Sequence, residues 1–227
     1  MVEQLIMADD HELTIRALLS QVQKSGLRST GVIHVGAHLG EEVPVYREFG
    51  YSPIILVEPN PSLLSELTLR CQGQDTEIVG AAVADRAGLA TLYEHRTVGG
   101  SVESASLLKL GELGDVVTFQ SNVVHSVMQT TVDELLGGRP ESWLLVVDAQ
   151  GSEVKVLHGA KKSLGLMNAV ICEVNVTRNY VDAPLEHEID EFLESFGFSK
   201  VFAIYHELYR GSFRWPAWGE CLYAKVS

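Results

Sequence analysis

Short apolar runs alternating with helical patterns predict an α/β fold built on a mostly parallel, doubly wound sheet. Three observations carry this expectation. From residue 31 the chain reads strand, helix, strand, helix, strand, as "GVIHVGA", "EEVPVYREFG", "PIILVEPN", a helix opened by Asn60-Pro61, and "TEIVGAAVA". The alternation returns with "WLLVVDAQ", "SEVKVLHGAKKSL", "AVICEVN" and "PLEHEIDEFLESFGF". Two more strands, "KVFAIYHELY" and "GECLYAKV", then follow without a crossover helix, which predicts an antiparallel edge.

Each element has a local reason. Ile15, Leu18, Leu19 and Val22 share one helical face, so an amphipathic helix fills much of residues 10–24 and ends at "KSGLRSTG". It reads as cover for a sheet face, with a lid over a site as the alternative. Asn60 suits the cap of the next-but-one helix and Pro61 its first turn. Residues 85–130 are less regular: "ATLYEHR" reads as a strand, "TVGGSVESASLLKLGELGD" as a long loop and "VVTFQSNVVHSVMQTTV" as strand-like. Thr131 and Glu134 form a capping box for the short helix "VDELL". Ser152 is placed to cap a helix whose first turn carries Glu153, and Leu185, Ile189, Phe192, Leu193 and Phe196 make one apolar stripe. With no repeat or linker, the chain reads as a single domain: residues 1–30 form a helical extension and residues 31–227 the α/β domain proper.

Composition narrows the function. The 227 residues carry 17 basic and 30 acidic side chains, a net charge of −13 that repels phosphate backbones and anionic membrane surfaces. Nucleic acid and membrane are therefore not expected partners. Cys71, Cys172 and Cys221 are scattered without C-x-x-C spacing, which fits a reducing cytoplasm. The first residues lack a basic stretch followed by an apolar one, and no run of 18 apolar residues occurs, so a cytoplasmic location is expected.

In an open α/β sheet, ligands bind beyond the carboxyl ends of the strands where the strand order reverses. Four groups of residues end such strands. "HVGAHLGEE" offers a glycine turn, with Gly36 for the tight bend and Gly40 for close approach of the next helix. Glu58 in "LVEPN" lies eighteen residues after Gly40, placed to accept from both hydroxyls of a ribose. A pyrophosphate needs a second glycine where Ala37-His38 stand, so the four-residue glycine spacing favours a ribose cofactor without phosphates, S-adenosylmethionine, over NAD. Asp148 ends a strongly apolar strand in "VVDAQGSE", followed by Gln150 and Glu153. Glu173 and Asn175 end another, leading to Arg178 and Tyr180. These last two bind substrate or merely solvate their loop, and Glu153 either serves the site or answers the helix dipole. No H-x-x-x-H or H-E-x-x-H pair exists and the Asp148/Glu173 spacing gives no case for Mg²⁺, so no metal is expected. No G-x-S-x-G occurs either, which removes acyl hydrolysis.

The pieces "VIHVGAHLGEE", "ILVEPNP", "AAVADRAG", "SASLL", "TTVDELL", "LLVVDAQGSEVKVLHGA", "ICEVN" and "WGECLYAKV" together resemble the FkbM family of S-adenosylmethionine-dependent methyltransferases over residues 31–226. The block from Asp148 to Ala160 is the most specific. The resemblance implies the class I Rossmann-like fold, a seven-stranded, mostly parallel sheet with helices on both faces and an antiparallel C-terminal hairpin strand. It implies that Gly36, Ala37, His38 and Gly40 line the methionine end of the cofactor, that Glu58 and Pro59 meet the ribose, and that Ala81, Ala82 and Asp85 lie near adenine. Asp148 and Gln150 would stand by the transfer centre. The chain departs from the family's Asp-x-Gly-Ala-Asn loop at His34 and His38.

The implied reaction is O-methylation of a hydroxyl on a sugar, glycan or other secondary metabolite, releasing S-adenosylhomocysteine. Asp148, Glu173 and His206 are the candidates for handling the hydroxyl proton. A non-catalytic nucleoside-binding or scaffolding protein that keeps the fold is the alternative from another class. The oligomeric state is left open, a homodimer included.

Overall fold

A computed structural model describes residues 11–97, 104–111, 119–140, 142–210 and 213–225. The predicted leading helix is α1 (His11–Lys24). The first half-winding is β1 (Gly31–Val35), α2 (Val43–Glu48), β2 (Ile54–Val57), α3 (Leu64–Arg70) and β3 (Thr76–Val79). The second is α4 (Val132–Leu136), β8 (Trp143–Val147), α5 (Glu153–His158), β9 (Met167–Asn175) and α6 (Glu186–Ser195). The hairpin β10 (Phe198–Arg210) and β11 (Phe213–Lys225) closes the chain.

These strands form one seven-stranded sheet in the order β10-β11-β9-β8-β1-β2-β3. β1, β2, β3, β8 and β9 run parallel, and β11 runs antiparallel to both β9 and β10. Winding outward from β1 goes one way to β3 and the other way from β8, so the strand order reverses between β1 and β8.

The faces follow from the period of two along each strand. Ile33 and Val35 of β1, with Leu145 and Val147 of β8, pack against α4, α5 and α6. Val32 of β1 and Leu144 and Val146 of β8 pack against Ile15, Leu18, Leu19 and Val22 of α1 and against α2 and α3. Both strands are buried from end to end, as a sheet covered on both sides requires.

Three features differ from expectation. "TEIVGAAVA" is not one strand: after β3 the chain turns, and β4 (Ala82–Val83) joins a second, four-stranded sheet in the order β4-β7-β5-β6. That sheet consists of β5 (Gly88–Thr97), β6 (Ser104–Ser106) and β7 (Phe119–Thr130), with β5 antiparallel to both neighbours. Part of the expected long loop is therefore the strand β6, while residues 98–103 and 112–118 lie outside the described residues. The helix after Asn60 begins only at Leu64, because the Asn60 Oδ1 accepts from the Ser62 amide at 3.0 Å and holds an intervening turn. Ser152 does not cap α5 with its hydroxyl; the Glu153 carboxylate collects the loop amides instead.

Candidate active site

The carboxyl ends of β1 and β8 meet where the strand order reverses. Gly36 has φ +85°, and a Cβ built on it would lie 1.7 Å from the Asp148 carbonyl oxygen. Only glycine lets these two strand ends close together. The Gly36 and Ala37 amides donate to the Val57 carbonyl at 2.9 and 3.1 Å, tying the turn to the end of β2. Gly40, also predicted for the cofactor, is closely packed: a Cβ there would lie 2.3 Å from the Cys71 sulfur.

Glu58 follows β2 and is 5% exposed. Its Oε2 accepts from the His38 amide at 2.9 Å and its Oε1 from the Asn60 amide at 2.7 Å. Each carboxylate oxygen has a further lone pair, so the pinned group can still take two hydroxyls, the donor set of a ribose diol. Burial pushes this carboxyl up to about 7, against the pull of the two amides. His38 adopts φ +46°, and its Nδ1 lies 3.0 Å from Glu41 Oε1, so the loop's second histidine is committed to its own turn.

His34 lies within β1, ahead of the glycine turn. Its side chain is buried on the α1–α2 face, 3.1 Å from the Tyr46 hydroxyl and edge-on to that ring, with Glu42 at 3.8 Å. Pro59 is half-buried beside Glu58. Ala82 packs with Leu92 and Val127 in the small core of the second sheet, Ala81 is buried, and Asp85 is exposed at the turn into β5.

Beyond β8 the chain makes a compact carboxylate cluster. Gln150, at φ +48°, donates through Nε2 to Asp148 Oδ1 at 2.7 Å and to Glu173 Oε2 at 3.3 Å. The Tyr180 hydroxyl donates to Gln150 Oε1 at 2.6 Å, and the Ser106 hydroxyl to the Gln150 carbonyl at 2.6 Å. Beneath them Glu153 Oε1 accepts from Gly151 at 2.8 Å and Ala149 at 3.2 Å, while its fully buried Oε2 has no hydrogen-bond partner among the described residues. Burial, partly offset by these amides, pushes Glu153 up to about 7. Glu173 is held well above the usual carboxylate range by burial first, then by Asp148 and Glu153, with Glu220 adding to them.

His206 joins this row through an intermediary. Glu220 lies directly across from Glu173 in the β9–β11 register, and His206 Nε2 is 2.6 Å from Glu220 Oε2. The imidazole stacks on Trp218 at 5.4 Å. The structure thus brings Asp148, Gln150 and Glu173 together and sets His206 two strands away. Sequence reasoning missed Glu220 and Trp218, whose signal was alternation along β11. It also missed the clamp by Ser106, which stood in a quoted motif without a role, and by Tyr180, which was read as a substrate contact or a loop-solvating residue.

The methyltransferase FkbM domain model matches residues 34–200. Among curated proteins no sequence match was found. By structure the chain resembles the FkbM methyltransferase of Methylobacillus flagellatus KT at 13% identity and TM-score 0.53, covering 96% of this chain and 56% of that one. It also resembles the magnesium protoporphyrin IX methyltransferase of Synechocystis PCC 6803, solved with S-adenosylhomocysteine. That match has 10% identity, TM-score 0.51, and covers 95% and 84% of the two chains. These likenesses identify the class I methyltransferase fold.

Proposed function

The chain belongs to the FkbM methyltransferase family, and from that premise we propose that it transfers the methyl group of S-adenosylmethionine to a hydroxyl of a sugar or secondary metabolite. One observation carries the reading: beside the point where the strand order reverses, a doubly pinned carboxylate, Glu58, follows β2, and Gln150 bridges the carboxyls of Asp148, after β8, and Glu173, near the end of β9. Gly36, Ala37, His38 and Glu58 would hold the cofactor, with Pro59 and Ala82 flanking its nucleoside. S-adenosylmethionine, when bound, supplies an activated methyl on a sulfonium centre.

The protein's own work is alignment and proton removal. An ordinary carboxylate is a weak base towards an alcohol. Glu173, raised by burial and by its acidic neighbours, is better matched. Asp148 orients the hydroxyl, Gln150 fixes the two carboxyls against each other, and Glu220 with His206 offers the proton a route across β11 and β10.

Thermal shift with S-adenosylmethionine, S-adenosylhomocysteine and NAD tests the cofactor, and tritium-labelled methyl transfer to a panel of hydroxyl and amine acceptors tests the reaction. Stabilisation by the first two ligands and label in an ether are expected. A response to NAD alone, or to none, rejects the cofactor; label on nitrogen alone rejects O-methylation.

A further inference from the structure

The second sheet touches the β2–α3 turn through a buried charge. Glu94 of β5 is fully buried, on the same face as Leu92, where an apolar residue would satisfy packing. Its Oε1 accepts from Arg96 Nε at 2.5 Å, and its Oε2 lies 2.9 Å from His125 Nε2. The same Oε2 accepts from the Ser62 hydroxyl at 3.2 Å. Ser62 in turn gives its amide to Asn60 Oδ1 at 3.0 Å, and Asn60 gives its amide to Glu58 Oε1 at 2.7 Å. A continuous run of hydrogen bonds therefore leads from the second sheet to the carboxylate read as the ribose acceptor.

We propose that Glu94 is a positioning residue for the cofactor: it anchors the Asn60–Ser62 turn and so fixes the Glu58 carboxylate in the orientation that receives two ribose hydroxyls. This rests on the ribose assignment of Glu58 made above. An isolated buried carboxylate is costly and keeps its charge only with partners. Burial would raise the Glu94 carboxyl, yet hydrogen bonds from Arg96 and His125 hold it below the ordinary range, so it stays an acceptor for Ser62 at neutral pH. Arg96 and His125 are local members of β5 and β7. Ser62, with the Asn60 side chain beside it, is the contact that leaves the sheet.

The test measures S-adenosylhomocysteine binding by calorimetry for wild type, Glu58→Ala, Ser62→Ala, Glu94→Gln, Glu94→Ala and the Ser62→Ala/Glu94→Ala double variant, each checked for folding by circular dichroism. Ser62→Ala and Glu94→Ala should each weaken binding about fivefold, the worth of one hydrogen bond. The double variant should be no weaker than Glu94→Ala, and Glu94→Gln, which keeps an oxygen towards Ser62, should recover most of the loss. A dideoxy analogue lacking both ribose hydroxyls should bind wild type and Glu94→Ala alike, which a merely structural role would not produce. Losses that multiply in the double variant, or Ser62→Ala binding as wild type while Glu58→Ala is impaired, overturn the positioning role alone. Undiminished binding by Glu58→Ala overturns the ribose assignment and the positioning role with it. Should Glu94→Ala not fold, Ser62→Ala and Glu94→Gln decide the matter.

Discussion

A carboxylate that must accept two hydroxyls works best when ionised, and Glu58 titrates at about 7 rather than at the ordinary 4.5. Its pKa is raised, so acidification through 7 protonates it and removes acceptor capacity. We expect S-adenosylmethionine affinity to fall as pH drops from 8 to 6 and to level above about 8. Calorimetry across that range checks this, and Glu58→Gln should flatten the profile. Glu58→Ala should weaken binding about 100-fold through loss of two hydrogen bonds to a charged acceptor. Asp148→Asn should leave binding nearly intact and lower methyl transfer at least about 100-fold; a folded variant with full turnover would remove Asp148 from the mechanism. The positions of Glu58 and Asp148 were legible because each directly follows an apolar run that forms a strand. His34 was not: a strand residue one position from a glycine turn points to either face, and only the packing of Tyr46 decides which.

The loop after β8 behaves as one unit, because Gln150, Glu153, Tyr180 and Ser106 tie its carbonyls, amides and side chains together. Removing the Tyr180 hydroxyl frees the Gln150 amide and with it the spacing of Asp148 and Glu173. Tyr180→Phe should therefore reduce turnover about tenfold while costing only about 1 kcal/mol of stability, read from kinetics and urea unfolding. Gly36→Ala should be far more damaging, roughly 3 kcal/mol or more, because the added methyl meets a backbone oxygen at a positive φ. Clamps of this kind were half visible. The strands and helices flanking the loop follow from apolar periodicity, whereas a tyrosine five residues beyond β9 finds its partner only once the strands are side by side. The same limit hid the second sheet: an apolar run such as "TEIVGAAVA" states that residues are buried, not that the chain changes sheets between Val79 and Ala82.

Across the whole molecule the buried carboxyls set an unusual dependence of stability on pH. Glu58 and Glu153 rise from 4.5 to about 7, and Glu173 is raised in the same direction by burial and by Asp148 and Glu153. Each binds a proton in the folded state that the unfolded chain releases, so between 4.5 and 7 stability falls as pH rises, and the cost is complete above the folded pKa. Glu41, Asp75 and Glu94 are shifted downward, so their contributions stand above their unfolded pKa values and vanish only as pH falls through the lower folded ones. The two windows do not overlap, and the ligand-free protein should be most stable near about pH 5, melting higher at pH 5.5 than at pH 8. Glu153→Gln keeps an oxygen for the Gly151 and Ala149 amides and removes a fully buried charge. It should raise stability at pH 8 by up to about 3 kcal/mol and do little at pH 5. Saturating S-adenosylmethionine favours ionised Glu58 and should make the melting curve less sensitive to pH. Melting temperatures that climb steadily from pH 5.5 to 8 would mean that these three carboxyls ionise as ordinary surface groups, and the raised basicity assigned to Glu173 would go with them.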